Sequence, residues 1–184
     1  AKLTFKHGVH PKEFKEMSAS CAIERMPFVK EYTLPLGQHI GAPSKAVVKK
    51  GDKVLRGQKV ADAGGFVSVA LHSPVDGTIT DISLFPHPNG TMQQAIRIEA
   101  DPFSAQQLMT SPTVDPEEID GRTFSSMIQD AGIVGLGGAA FPAHVKFSIP
   151  EGKNCKYLML NGCECEPFLT ADHRVMVEYA KELI

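Results

Sequence analysis

From Val29 to about Ala100, glycine, proline and aspartate cut the sequence into short pieces rich in β-branched residues. Among them are Glu31-Tyr-Thr-Leu, Lys45-Ala-Val-Val, Lys59-Val-Ala-Asp, Phe66-Val-Ser-Val-Ala-Leu, Gly77-Thr-Ile-Thr-Asp-Ile and Gln94-Ala-Ile-Arg-Ile. Strands this short at this turn spacing point to a small barrel or sandwich.

The flanks have a different texture. Residues 1–28 read as an irregular N-terminal arm, with a short helix begun by Pro11 and running to Met17. His7 and His10 sit in a Gly/Pro turn with no cysteine or carboxylate pair beside them, so they read as surface or packing residues rather than metal ligands. Residues 101–120 contain three prolines and no apolar period, and read as a linker. Within it, Asp115-Pro-Glu-Glu118 suits a single helical turn with aspartate at the cap. Past Gly121, the spacing of Phe124, Met127, Ile128 and Ala131 predicts a helix capped by Thr123 or Ser125 and ended by Gly132.

That helix leads into Ile133-Val134-Gly135-Leu136-Gly137-Gly138-Ala139-Ala140-Phe141-Pro142. A loop stripped of side chains lets backbone N–H groups approach an anion closely. The spacing satisfies a relaxed dinucleotide fingerprint. The strand that should precede it is only Ile133-Val134, however, and Pro142 follows too soon for an ordinary crossover. Lys146, just beyond, can set a compact positive charge on a phosphate. A second run, Tyr157-Leu-Met-Leu-Asn161-Gly-Cys163-Glu164-Cys165-Glu166-Pro167, predicts a short buried strand ending in an amide and two carboxylates. If it stays extended, Glu164 and Glu166 share one face and the two cysteines the other. Cys163 and Cys165 read as buried small hydrophobes, since cluster ligation needs further thiolates in C-x-x-C runs.

Bulk properties exclude several classes. A net charge of −2 with scattered basic residues leaves no footprint for nucleic acid. No apolar run approaches a membrane span, and the opening residues lack a signal-peptide core. Four cysteines without a C-x-x-C do not make a disulfide framework or a zinc ribbon, which favours a reducing compartment. The final Glu178–Ile184 reads as a helix without a terminator and predicts that the polypeptide continues.

Two families share these motifs. Val48-Lys-Lys-Gly51-Asp52-Lys-Val-Leu-Arg-Gly57-Gln58-Lys-Val60-Ala61 and His72-Ser73-Pro74-Val75-Asp76-Gly77-Thr78-Ile79 resemble the biotinyl/lipoyl barrel-sandwich hybrid. Carrier domains of that type present a lysine in the intervening hairpin, and this chain has none from Val60 to Thr91. The resemblance therefore implies the fold without the carrier chemistry. Gly135-Leu-Gly-Gly-Ala-Ala-Phe-Pro with Lys146, and Asn161-Gly-x-Glu164-Cys165-Glu166-Pro167 with Asp172, Arg174 and Met176, resemble the C-subunit (RnfC) of the Rnf electron-transport complex. More distantly they are similar to the NADH-binding flavoprotein of respiratory complex I. The Phe5-Lys-His-Gly8-Val9-His10-Pro11 opening resembles the "F-x-G-G-I-H-P" start of RnfC.

The resemblance implies a mixed α+β chain: a barrel-sandwich hybrid over 29–100, then the start of an α/β FMN/NADH-binding domain over 121–184. It implies a peripheral subunit on the cytoplasmic face of a bacterial membrane, in an ion-translocating ferredoxin:NAD oxidoreductase. Its partners would be other subunits of that complex, NADH and, indirectly, ferredoxin. Gly135, Gly137, Gly138 and Ala139 would line the flavin phosphate and nucleotide entrance, and Lys146 would face phosphate. Asn161 would meet the flavin ring edge, and Glu164 and Glu166 the flavin or nicotinamide side. Two 4Fe–4S clusters would belong to a later part of the polypeptide. Three departures weaken the site. The arginines of the complex I loop are missing, Cys163 replaces an aspartate, and the family's cluster segments do not occur within the 184 residues. The expectation is that the chain alone is inactive and binds FMN weakly or not at all. The alternative is a non-catalytic docking or assembly module of a membrane-associated redox complex.

Overall fold

The computed structural model describes residues 8–184 apart from 10, 111, 112 and 151. The pair His7 and His10 lies outside the described residues, as do Phe5 and Lys6 of the opening motif. The chain divides into two compact units, Phe28–Asn154 and Ala1–Pro27 with Cys155–Ile184.

In the first unit, a four-stranded antiparallel sheet has the order β1 (Glu31–Pro35), β7 (Met92–Ala100), β6 (Gly77–Pro86), β3 (Lys53–Val54). A three-stranded sheet joins β2 (Lys45–Ala46), β4 (Lys59–Asp62) and β5 (Leu71–His72). The inner faces share one core, in which Val60, Val75, Ile79, Ile96 and Ile98 are fully buried. Each such side chain contributes roughly 1.5–3 kcal/mol of apolar burial. β6 and β7 pair from Gly77↔Ala100 to Pro86↔Met92, with a register shift between Ile79 and Asp81. That bulge resets the alternation, so Ile79 and Ile82, three residues apart, both face the core opposite Ile98 and Ile96, while Phe85 is buried against the Arg97 guanidinium instead. The expected barrel-sandwich is thus present, and with its helices the chain is mixed α+β.

Helix α1 (Gly121–Asp130) and the short α2 (Ala143–Phe147) complete this unit. The cap of α1 is Asp120, whose carboxylate accepts the Thr123 amide at 2.7 Å, and not Thr123 or Ser125. Both candidates lie already inside the first turns. Gly132 does end the helix, with φ +74, a conformation only glycine adopts without penalty. A side chain there would also strike the Ala70 carbonyl oxygen, 2.6 Å from its Cβ position.

The hairpin that would carry a lysine in a carrier domain is immobilised here. Gln129 of α1 donates from Nε2 to the carbonyls of Gly65 (3.0 Å), Phe66 (3.4 Å) and Ser68 (3.0 Å), and its own carbonyl accepts the Ala70 amide at 3.1 Å. His144 Nε2 lies 2.7 Å from the Phe66 carbonyl. The strand expected over Phe66–Leu71 is therefore reduced to Leu71–His72, because the carbonyls of Phe66 and Ser68 bond to α1 and α2, and those of Val67 and Val69 to the Ala42 amide and the Ser44 hydroxyl, instead of to a strand ladder. Residues 101–109 are anchored in a similar way. Buried Gln106 accepts the Asp76 amide at 2.7 Å, and the Met109 amide donates to the Arg56 carbonyl at 2.8 Å.

The second unit combines a 3-10 turn at Lys15–Met17 with α3 (Ala171–Glu178) and α4 (Ala180–Leu183). The helix expected from Pro11 shrinks to that turn because Phe14 adopts φ +52, which interrupts a right-handed helix. The arm is stitched to α3: the Ile23 amide donates to the Glu178 carboxylate at 3.0 Å and Arg174 Nη1 to the Ala19 carbonyl at 3.1 Å. The buried strand expected at Tyr157–Leu160 is not found. These residues are 85, 75, 89 and 67 % exposed, and no described segment pairs with them. An apolar strand is buried only when neighbours cover it and satisfy its amides.

Candidate functional site

The glycine-rich run folds as a hairpin. β8 (Val134–Gly135) pairs antiparallel with β9 (Phe141–Pro142), Gly135 opposite Phe141, leaving Leu136–Ala140 as a five-residue loop. Just before β8, the Ile133 carbonyl accepts the Ala143 amide at 2.9 Å and closes the base of the hairpin. Ala140 turns the chain with φ +52. Among the described residues, the amides of Gly137, Gly138 and Ala139 make no hydrogen bond to a backbone carbonyl. A Cβ added at Gly137 or Gly138 would meet nothing within 4 Å, and neither has positive φ. Nothing in the packing of this unit thus requires glycine at either position. The space that a side chain would fill stands open over unspent amides, as close approach of an anionic group requires.

Lys146, on α2, joins this loop. A Cβ at Gly135 would lie 2.6 Å from the Lys146 ammonium nitrogen, so the lysine and the loop's first glycine are in contact distance. The preceding turn of α2 is set by His144, 2 % exposed, packed edge-on against Phe66 with ring centroids 5.6 Å apart. Its Nδ1 is buried without a partner among the described residues. Ser148 Oγ donates to the His144 carbonyl at 3.0 Å. A cleft of about 710 Å³ runs between α1 and α2 under Phe66, away from the glycine loop.

Asn161, Glu164 and Glu166 belong to the other unit, whereas Gly135, Gly137, Gly138, Ala139 and Lys146 belong to the first. Asn161 Oδ1 accepts the Cys163 amide at 2.9 Å, so the group it presents outward is its NH₂. The two glutamates do not share a face. The stretch is irregular rather than extended, with Phe168 at φ +66. Glu164, its side chain 7 % exposed, turns inward to accept the amides of Asp172 (2.8 Å) and His173 (3.4 Å) at the start of α3. Its other oxygen lies 3.6 Å from the Lys15 ammonium. Glu166 is exposed, and its carboxylate has no partner among the described residues. A cleft of about 880 Å³ follows this turn, lined in part by Lys12, Phe14, Lys15, Glu164 and Glu166.

Cys163 and Cys165 are exposed, as are Cys21 and Cys155, so the reading of buried small hydrophobes is corrected. They lie in a segment that no described layer covers. Among the described residues no group of three or more His, Cys, Asp or Glu could hold a metal ion. No helix among them is long and apolar enough to cross a membrane. Sequence reasoning missed Lys15 and Gln129. Neither stands in a motif, and Lys15 meets the Glu164 carbonyl across 149 positions of chain.

Known proteins match along the whole chain. Residues 3–102 match the family described as the RnfC barrel sandwich hybrid domain, and residues 128–184 match the Nuo51 FMN-binding domain. The C-subunit of the sodium-translocating ferredoxin:NAD(+) oxidoreductase complex of Acetobacterium woodii is 40% identical over 181 residues, covering 98% of this chain and 41% of that protein. The proton-translocating counterpart of Clostridium ljungdahlii is also 40% identical over 181 residues, covering 98% of this chain and 40% of that protein. The C-subunit of the ion-translocating oxidoreductase complex of Rhodobacter capsulatus is 38% identical over 178 residues, covering 96% of this chain and 34% of that protein. The chain therefore spans about two fifths or less of the length of these relatives. With the barrel-sandwich family matched over more than half its residues and an FMN-binding family following it, the chain belongs to the RnfC family.

Proposed function

We propose that this chain forms the barrel-sandwich and the phosphate-binding beginning of the FMN- and NAD(H)-binding subunit of an ion-translocating ferredoxin:NAD oxidoreductase. The observation that carries this reading is the Leu136–Ala140 loop, with unspent amides at Gly137, Gly138 and Ala139, no steric reason for glycine at 137 or 138, and Lys146 beside Gly135. Those features fit a phosphate. The amides would donate to its oxygens, and Lys146 would add charge in place of the arginines that this loop lacks. Asn161 would donate its NH₂ to the flavin ring edge. Of the two carboxylates, Glu166 is the one free to meet a nicotinamide nucleotide, since Glu164 is held by Lys15 and the start of α3. Bound FMN supplies the exchange between two-electron and one-electron chemistry; the protein supplies binding, orientation and electrostatics.

The two 4Fe–4S clusters, the contacts with other subunits and the indirect exchange with ferredoxin belong, on this reading, to the length of the relatives that the chain does not span. The setting would be peripheral, on the cytoplasmic face of a bacterial membrane. The 184 residues alone would not turn over NADH and would bind FMN weakly. Titrating FMN fluorescence with the chain tests this: little quenching is expected, and micromolar binding would overturn the claim that the site is incomplete. In the complete subunit, Gly137→Val should abolish NADH oxidation and FMN retention.

A second reading, an assembly module, is favoured by one observation, the clamping of the hairpin by Gln129 and His144. It predicts that Gly137→Val preserves both assembly and NADH oxidation. The first reading predicts that assembly alone survives.

A further inference from the structure

Lys15 lies in the N-terminal arm, yet the polar contacts of its ammonium all fall on residues 164–169. Its ammonium donates to the Leu169 carbonyl at 2.9 Å and reaches the carbonyls of Glu164 and Glu166 at 3.4 and 3.5 Å. The Glu164 carboxylate is 3.6 Å away. One cation thus ties backbone oxygens on both sides of Pro167 to a single point. Glu164 is neutralised from two directions, by this lysine and by the first amides of α3, where an anion is favoured. A second set of contacts fixes the same register. Phe14 stacks on Phe168, the Phe168 amide donates to the Glu13 carbonyl at 2.8 Å, and Ser18 Oγ donates to the Phe168 carbonyl at 3.0 Å.

We propose that Lys15 is a positioning residue that acts through Glu164. It holds the turn from Glu164 to Leu169 so that Glu166 is the unspent carboxylate of that turn presented to the nicotinamide nucleotide. The inference rests on the FMN/NAD(H) reading above. Without the lysine, Glu164 keeps only amide partners and three carbonyls lose their donor. The turn then populates other conformations, and apparent nucleotide affinity falls in proportion to the competent fraction. The glycine loop belongs to the other unit, and Asn161 is set by the Cys163 amide rather than by Lys15, so FMN should be retained.

The test uses the complete FMN-loaded subunit, with NADH oxidation followed by an artificial electron acceptor. Lys15→Met should raise KM for NADH about tenfold, with kcat within about twofold and FMN content unchanged, a split that general unfolding would not produce. Lys15→Arg should restore most of the affinity. Lys15→Met combined with Glu164→Gln should be no worse than Lys15→Met alone, because both remove one contact. An unchanged KM in Lys15→Met, or effects that multiply in the double variant, would overturn the inference. Should Lys15→Met fail to fold, Lys15→Gln keeps donors for the carbonyls and is read in the same way, with a smaller rise in KM expected and no rise counting against it. Gly137→Val run in parallel separates the two levels. If it keeps its FMN, the cofactor reading itself fails. If it loses FMN while Lys15→Met keeps the parent KM, only the role of Lys15 falls.

Discussion

Phe14 and Phe168 stack with ring centroids 4.9 Å apart and planes within 7° of parallel, and both hold left-handed backbone, at φ +52 and +66. A left-handed residue with a side chain costs roughly 1–2 kcal/mol, and an aromatic pair returns roughly 0.5–1.5 kcal/mol beyond its area burial. Phe14→Ala keeps the backbone cost and loses the stack, so it should destabilise the chain by about 1–3 kcal/mol. Phe14→Gly loses the same stack but relieves the backbone, and should be the milder of the two. Urea denaturation of both variants checks the order, and an alanine variant more stable than the glycine variant would refute it.

Ala140 offers the same argument inside the glycine loop, without an aromatic partner. Ala140→Gly should stabilise by about 0.5–1 kcal/mol, and Ala140→Val should destabilise by more than that. Thermal unfolding midpoints would show both. Gly137→Val, by contrast, should leave stability within about 0.5 kcal/mol, because its side chain meets nothing and its backbone is not left-handed.

His72 supplies a pH dependence. It is half-buried opposite Lys59, and burial, reinforced by the lysine's charge, holds its pKa below the ordinary 6.5. A base whose folded pKa lies below its unfolded one binds more protons unfolded. Stability is therefore full above 6.5 and is lost as pH falls through that value toward the folded pKa. His72→Gln should flatten this limb of a stability–pH curve. The carboxylates act in a separate, more acidic window. Asp81, held low chiefly by the Ser83 hydroxyl, and Glu178, held low chiefly by Arg174, lose their contribution only as pH falls below the ordinary 3.8 and 4.5.

Gln129→Ala removes three hydrogen bonds to the hairpin at once and leaves the buried Ser68 carbonyl without this donor. A cost of about 1–3 kcal/mol is expected. Amide hydrogen exchange should accelerate between Gly65 and Ala70 while the β6–β7 ladder stays protected. Uniform acceleration would mean that Gln129 does not clamp this segment locally.

Much of the barrel is legible in the sequence because its signals are local. The piece Lys59-Val-Ala-Asp is β4 at its observed bounds, and Gly132 announces the end of α1. The cap at the other end of α1 is harder to place because Asp120, Thr123 and Ser125 are all competent acceptors, and only geometry chooses among them. Phe66–Leu71 looks like a strand because the pattern cannot register Gln129, sixty residues later, taking its carbonyls. The Tyr157–Leu160 run is apolar, but burial is a property of neighbours and not of the run itself. Within the candidate site, composition marks the glycine loop. The unequal roles of Glu164 and Glu166 depend on Lys15, which no spacing rule connects to them.

In carrier domains the corner between β4 and β5 is a leash: it bears a group that commutes between distant stations. Here that corner is bolted down by an amide side chain and an imidazole, with no amine to load. The same corner is thus a fixed wall against which α1 and α2 are seated.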